Sequence, residues 1–339
     1  LLLGQDGLTN GAIYALLALA LALIFAVTRV IFIPQGEFVA YGALTLAMLQ
    51  AGKIPATLWL VLALGAAVTA IDCAQALRHG AMRRVPRIVL LNLVMPLLLW
   101  LLLGSLDLAG MNLLLQVLLT LAVVVPLGPM LYRLAYQPIA EASVLMLLIV
   151  SVAVHVVLIG LGLLFFGAEG TRTPAFTEGS LELAGTTVQY QTLWILASSA
   201  VLIVALAIFF GRTIYGKALR ATALNRTGAR LMGISTVMAG KLSFTLAALI
   251  GAFSGILISP ITTVYYDSGF LIGLKGFVGA IVGGLASYPV AAAGAVLVGF
   301  LESYSSFWAS AYKEVIVFTL IIPVLLWRSL TTHHSEEEE

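Results

Sequence analysis

Long apolar runs separated by short polar breaks dominate this chain. Runs long enough, or nearly so, to cross the roughly 30 Å of hydrocarbon in a bilayer fall at 6–28, 37–52, 55–72, 88–104, 112–132, 142–166, 191–210, 237–258, 270–286, 290–309 and 313–327. The pattern predicts an all-α, polytopic helical membrane protein with about eleven membrane segments. These form one transmembrane domain over 1–330, followed by a polar tail at 331–339. Two runs, 37–52 and 270–286, are short for a helix rising about 1.5 Å per residue. Each adjoins a helix-breaking stretch: Ile33-Pro34-Gln35-Gly36-Glu37 in one case, Tyr265-Tyr266-Asp267-Ser268-Gly269 in the other. Broken backbone at membrane depth is tolerated only where protein buries it or water reaches it. A weak internal echo links the two regions, Ala12–Gly42 and Ser243–Gly284, each a long apolar helix, a polar break and a Gly/Ala-rich helix. Chance similarity among such helices explains the echo as well as a repeat does.

Charge orients the segments. The loop Arg78–Arg87 is basic, and Gly211–Ser235 carries Arg212, Lys217, Arg220, Arg226 and Arg230 with no acidic residue. Positive loops lie on the cytoplasmic side. The loop Gly167–Gln191 holds Glu169, Glu178 and Glu182 against Arg172 and reads as external. Eleven crossings then put the N-terminus outside and Arg328 inside; making either short run re-entrant would reverse a terminus.

Composition closes off other classes. The chain is 61% hydrophobic and 9% charged, against roughly 25% charged in a soluble domain, so it cannot cover a water-facing surface. Its one cysteine, Cys73, excludes an internal disulfide and reads as apolar filler. The first apolar run lacks a basic lead and a cleavage site and does not read as a signal peptide. No metal-ligand cluster, nucleophile elbow or complete P-loop is present; neither Gly216-Lys217 nor Gly240-Lys241 is followed by the hydroxyl residue that a P-loop needs. The expectation is a protein that is not an enzyme and carries no cofactor, metal or nucleic acid.

The basic segment is long for a connector. A helix over 217–231 would put Ala221, Leu224, Gly228 and Leu231 on one face, and Arg226 and Arg230 on another. Gly228 weakens such a helix by about 1 kcal/mol, so two short helices with a bend fit equally well. Two roles are open: a loop that only fixes topology, or a docking helix that fits a partner's groove. Gly269, Gly273, Gly276, Gly279, Gly283 and Gly284 recur at three- and four-residue spacing, as expected for close helix packing or for a seam along a pathway or subunit interface. Glu37 opens a span, where a carboxylate favours the helix dipole; the alternative is a polar site on a pathway. Lys275 has room to snorkel, Glu302 lies mid-span and needs burial against a helix, and His155 reads as a hydrogen-bonded structural imidazole.

These residues carry a family resemblance. The order Gly-Ala-Ile-Tyr-Ala-Leu at 11–16, Arg29-Val30-Ile31, Gln35-Gly36-Glu37 and Tyr41-Gly42-Ala43 resembles the first two helices of the membrane permease subunit of branched-chain amino acid-type ABC importers. Gly216–Ala221 and Ala229–Ile234 resemble that family's cytoplasmic coupling segment; Gly273–Glu302 resembles its C-terminal half. The resemblance implies a pathway subunit in the bacterial inner membrane. Its implied partners are a second homologous permease, two cytoplasmic ATPase subunits and a periplasmic solute-binding protein. Gln35, Gly36, Glu37, Tyr41 and Lys275 are candidates for lining the substrate route. Gly216, Lys217, Arg220, Ala221, Ala229, Met232 and Gly233 are candidates for ATPase coupling. Gln35 departs from the histidine common before the Gly-Glu pair, and the region 72–112 is expanded. The competing reading is a gradient-driven secondary transporter or channel using Glu37 and Glu302.

Overall fold

The computed structural model describes residues 2–331 except 184, 185 and 286; the Arg328 side chain and the tail beyond Thr331 lie outside what it describes. The helices, in chain order, are α1 (Leu2–Thr28), α2 (Gln35–Gln50), α3 (Thr57–Arg78), α4 (Met82–Ser105), α5 (Leu113–Ile139), α6 (Val144–Phe166), α7 (Tyr190–Arg212), α8 (Ile214–Leu224), α9 (Arg226–Leu231), α10 (Thr236–Ile258), α11 (Ser268–Val282), α12 (Tyr288–Trp308), α13 (Lys313–Thr319) and α14 (Ile321–Thr331). Local chemistry sets many of their starts. Asn112, Ser143, Thr213, Asn225 and Ser235 each accept a backbone N–H from the first turn they precede, at 2.7–3.3 Å. Such caps satisfy donors that the helix itself leaves free.

Each of the eleven apolar runs contains a helix. Among the described residues, eight helices rather than eleven are long and apolar enough to cross a membrane: α1, α3, α4, α5, α6, α7, α10 and α12. At 16 and 15 residues, α2 and α11 reach only about 24 and 22 Å, and the last run is divided at Leu320 into α13 and α14. The loop 167–191 also holds a two-stranded antiparallel hairpin, β1 (Ser180–Leu183) with β2 (Thr186–Gln189), which the apolar pattern did not predict.

At the centre, α1, α2, α10, α11 and α12 pack through glycine. A Cβ on Gly11 would meet the Val296 backbone on α12, and one on Gly255 would strike the Val39 carbonyl on α2. The starts of the two short helices meet each other: a Cβ on Gly36 would collide with the Gly269 carbonyl, and one on Gly269 with the Gly36 carbonyl. Gly276 faces Leu17, while Gly279 and Gly283 face Ala295 and Ala291. The glycine seam of α11 is therefore used within the chain rather than as a subunit interface, except for Gly284, which makes a left-handed turn at φ 64°. Around this centre, α4, α6 and α7 leave Leu98, Leu102, Leu145, Leu164 and Val201 exposed, as hydrocarbon requires.

Both basic segments lie at one end of the bundle. Arg226 of α9 donates to the Ala140 carbonyl (3.1 Å), and Arg133 near the end of α5 binds Asp72 (2.6 Å) and Gln75 (2.9 Å) near the end of α3. At the opposite end Thr171 pairs with Val264, Arg172 donates to the Pro260 carbonyl, and Ser303 donates to the Leu3 carbonyl.

The helix-start contact makes a test. Gly36→Ala places a methyl into the Gly269 carbonyl and should destabilise the chain by about 1–3 kcal/mol. Gly160→Ala, with nothing within 4 Å of its Cβ, should be neutral or slightly stabilising. Thermal unfolding of both variants in detergent measures the difference.

Candidate functional site

The first break follows from residues 29–34. Arg29 takes a left-handed conformation (φ 63°), which turns the chain off α1. Phe32 carries the irregular segment into the core, in ring contact with Phe38, Tyr136 and Phe244 at centroid distances of 5.7, 5.8 and 4.8 Å. Pro34 has no N–H to satisfy at the point where α2 begins. That start lies halfway along α10: Gln35 Nε2 donates to the Ala247 carbonyl at 3.0 Å.

Glu37, fully buried in the first turn of α2, makes no cap. Its Oε1 lies 3.0 Å from Nδ1 of His155 on α6, and the imidazole rests against Phe270 of α11 at 4.7 Å. One turn along α2, the Tyr41 hydroxyl donates to the Leu158 carbonyl of α6 (2.9 Å). The stripe Leu147, Ser151, His155, Leu158 and Gly162 is the buried face of α6, so one helix delivers the imidazole and receives the phenol. Among the described residues, Gln35 Oε1 and Glu37 Oε2 have no hydrogen-bond partner. Sequence reasoning singled out Glu37 and His155 separately; 118 positions apart, nothing in their spacing joined them.

Lys275 stands elsewhere. It does not snorkel: it is buried, its Nζ 2.5 Å from Glu302 Oε1 on α12 and 3.1 Å from Glu314 Oε1 on α13. Tyr14 of α1 donates to the second Glu302 oxygen. The burial that Glu302 required is thus met by an ion pair and a phenol. Opposite charges on neighbouring spans were a usable signal for the Lys275–Glu302 pair; Tyr14 and Glu314 carried none. This cluster borders a cavity of about 910 Å³ near the end opposite the basic segments, also lined by Asp6, Arg172 and Lys313. The five route candidates therefore divide: Gln35, Gly36, Glu37 and Tyr41 are enclosed in the core, and Lys275 borders the cavity.

The basic segment is two helices, α8 and α9, bent at Asn225. Gly216 and Ala229 face inward, and a Cβ on Gly216 would strike the Phe209 carbonyl. Ala221 is half-buried; Lys217, Arg220, Met232 and Gly233 face out. The end of α9 is a Schellman turn: Gly233, at φ 80°, donates to the Arg230 carbonyl, and Ile234 donates to that of Ala229. Arg230 reaches Glu141 at 3.3 Å. Leu224, Leu231 and Met232 are 88, 83 and 82% exposed.

A protein family described as branched-chain amino acid transport system / permease component matches residues 88–325. The chain belongs to that family. The match takes in Gly216–Ile234 and Gly273–Glu302 but not Gly7–Leu46. Over 203 residues this permease-family chain is 32% identical to the high-affinity branched-chain amino acid transport system permease protein LivH of Escherichia coli K12, covering 57% of the chain and 65% of LivH. LivH of Salmonella typhimurium matches to the same extent, and BraD of Pseudomonas aeruginosa is 29% identical over 203 residues, 58% of the chain and 66% of BraD. The chain thus spans just under two thirds of the curated relatives it matches. No solved structure matches it.

The Glu37–His155 pair is open to a double-mutant cycle. His155→Ala strands a buried carboxyl group and should cost about 3–5 kcal/mol. Glu37→Gln with His155→Ala should cost less than the sum of the single changes, because the pair acts as a unit. Unfolding midpoints of the four proteins in detergent give the coupling; additive losses would show that the two groups act independently.

Proposed function

We propose that this chain is the membrane-spanning permease subunit of an ATP-driven importer for amino acids of the branched-chain type or a related small polar metabolite, such as an organic acid, an amide or urea. The basic end is cytoplasmic by the positive-inside rule, in a bacterial inner membrane. A second homologous permease completes the pathway, a periplasmic solute-binding protein delivers solute at the opposite end, and two ATPase subunits dock at the basic end. Substrate passes by way of the cavity beside Lys275 and Glu302. The four enclosed residues Gln35, Gly36, Glu37 and Tyr41 meet the pathway when the two short helices separate.

The observation that carries this reading is the surface of α8 and α9. Leu224, Leu231 and Met232 expose apolar side chains beside Lys217 and Arg220, which have no carboxylate partner among the described residues. Exposed apolar groups ringed by charge mark a protein-binding surface, and a membrane subunit driven by ATP needs such a surface for its ATPase. The relatives' names support the substrate class.

The test is co-purification with the ATPase followed by reconstituted uptake. Wild-type protein should retain the ATPase and show ATP-dependent uptake. Leu231→Asp, at an exposed position, should leave the fold intact and release the ATPase. Gly233→Val should strain the left-handed turn by about 1–2 kcal/mol and uncouple hydrolysis from uptake. Uptake driven by an ion gradient without any ATPase would support the secondary-transporter reading instead.

A further inference from the structure

A cavity of about 750 Å³ lies at the basic end, between α3, α4, α5 and α10. It lies outside the coupling helices and on the other side of the core from the Lys275 cavity. Four cations line it: Arg84, Arg87, Arg133 and Lys241. The carboxylate in its wall, Asp72, is bound to Arg133 at 2.6 Å. Arg84, Arg87 and Lys241 have no carboxylate partner among the described residues, so the cavity holds an excess of about three positive charges.

The lining changes character with depth. On α4 the residues facing the cavity are Arg84, Arg87, Ile88 and Leu91, at the spacing of one helical face. The two arginines come first; the two aliphatic side chains follow about one turn deeper. On α5, which runs the other way, Arg133 stands at the basic end, and Met130 and Val125 lie deeper. Lys241 occupies the corresponding level near the start of α10. Behind the cavity, Gly65 of α3 lies so close to α4 that a Cβ would strike the Asn92 carbonyl. That contact falls in the π turn Leu90–Val94, where Asn92 also donates to the Ile88 carbonyl at 2.9 Å. The outer face of the same helix exposes Leu90, Met95 and Leu98, as contact with hydrocarbon requires.

We propose that this cavity binds an anionic phospholipid. Its phosphate would lie among Arg84, Arg87 and Lys241, with the first part of an acyl chain along Ile88, Leu91 and Met130. A free phosphate would use the cations and leave the apolar depth unfilled. A zwitterionic lipid brings a choline or ethanolamine cation into a cavity already rich in positive charge. Basic pockets between membrane helices near the cytoplasmic surface suit anionic headgroups on the same grounds.

Native mass spectrometry of the full chain in detergent tests the assignment, with phosphatidylglycerol and phosphatidylcholine titrated in parallel. Wild-type protein should retain phosphatidylglycerol in preference to phosphatidylcholine, and excess glycerol phosphate should not displace it. Each cation removed should weaken binding about fivefold. Arg84→Gln with Arg87→Gln, both at exposed positions, should therefore lose about 25-fold and bring phosphatidylglycerol down to the level of phosphatidylcholine. Arg78→Gln with Arg83→Gln removes the same charge outside the cavity and should leave binding unchanged. Equal retention of the two lipids by wild type, an equal loss in the control variant, or displacement by glycerol phosphate would each overturn the proposal.

Discussion

A backbone that leaves the helix inside hydrocarbon has to find its cover in protein, and much of this structure answers that demand. Helix α2 starts halfway along α10 rather than at a membrane surface, and α11 starts at the same level. Their first turns touch through Gly36, Gly269 and Gly273, close enough that no side chain fits between them. The aromatic group of Phe32, Phe38, Tyr136 and Phe244 then encloses the irregular chain that leads into α2. Without glycine at that crossing, the two starts would move apart and the polar backbone ends would be uncovered.

Charge inside the bundle follows the same logic by two routes. Glu37 is matched by an imidazole from a helix that otherwise presents an apolar face to its surroundings, so the group is sealed. Lys275 is matched by two carboxylates and borders a cavity. A sealed pair holds helices together and opens only if they separate, whereas a pair on a cavity wall is already within reach of solute. The enclosed break and the open cavity thus offer a transporter two different states of exposure for polar groups.

At the basic end the division is between fixed and free positive charge. Arg133 and Arg226 are tied to Asp72 and the Ala140 carbonyl, and they join α3 to α5 and α9 to the turn between α5 and α6. Lys217, Arg220, Arg84 and Arg87 have no carboxylate partner among the described residues, and they stand beside exposed or cavity-lining apolar side chains. Tied charges maintain the architecture; untied charges next to apolar groups are available to a partner.

Periodicity, composition and charge by themselves determined that this is a helical membrane protein, where its apolar runs lie, that runs 37–52 and 270–286 are short, and which loops share a face. Those properties are local: they depend on length, on rise per residue and on side-chain transfer energy. The glycine spacing in α11 was legible for the same reason. What faces those glycines was not, because a helix pattern names a face and never its neighbour. Only the tertiary structure decided that Gly36 meets Gly269, that His155 finds Glu37 across 118 positions, and that Lys275 is ion-paired instead of reaching for the surface. It also decided that the last of the eleven runs is divided at Leu320. Each of these depends on which helices pack together, and the energy of a buried pair belongs to the pair and to no single position in the sequence.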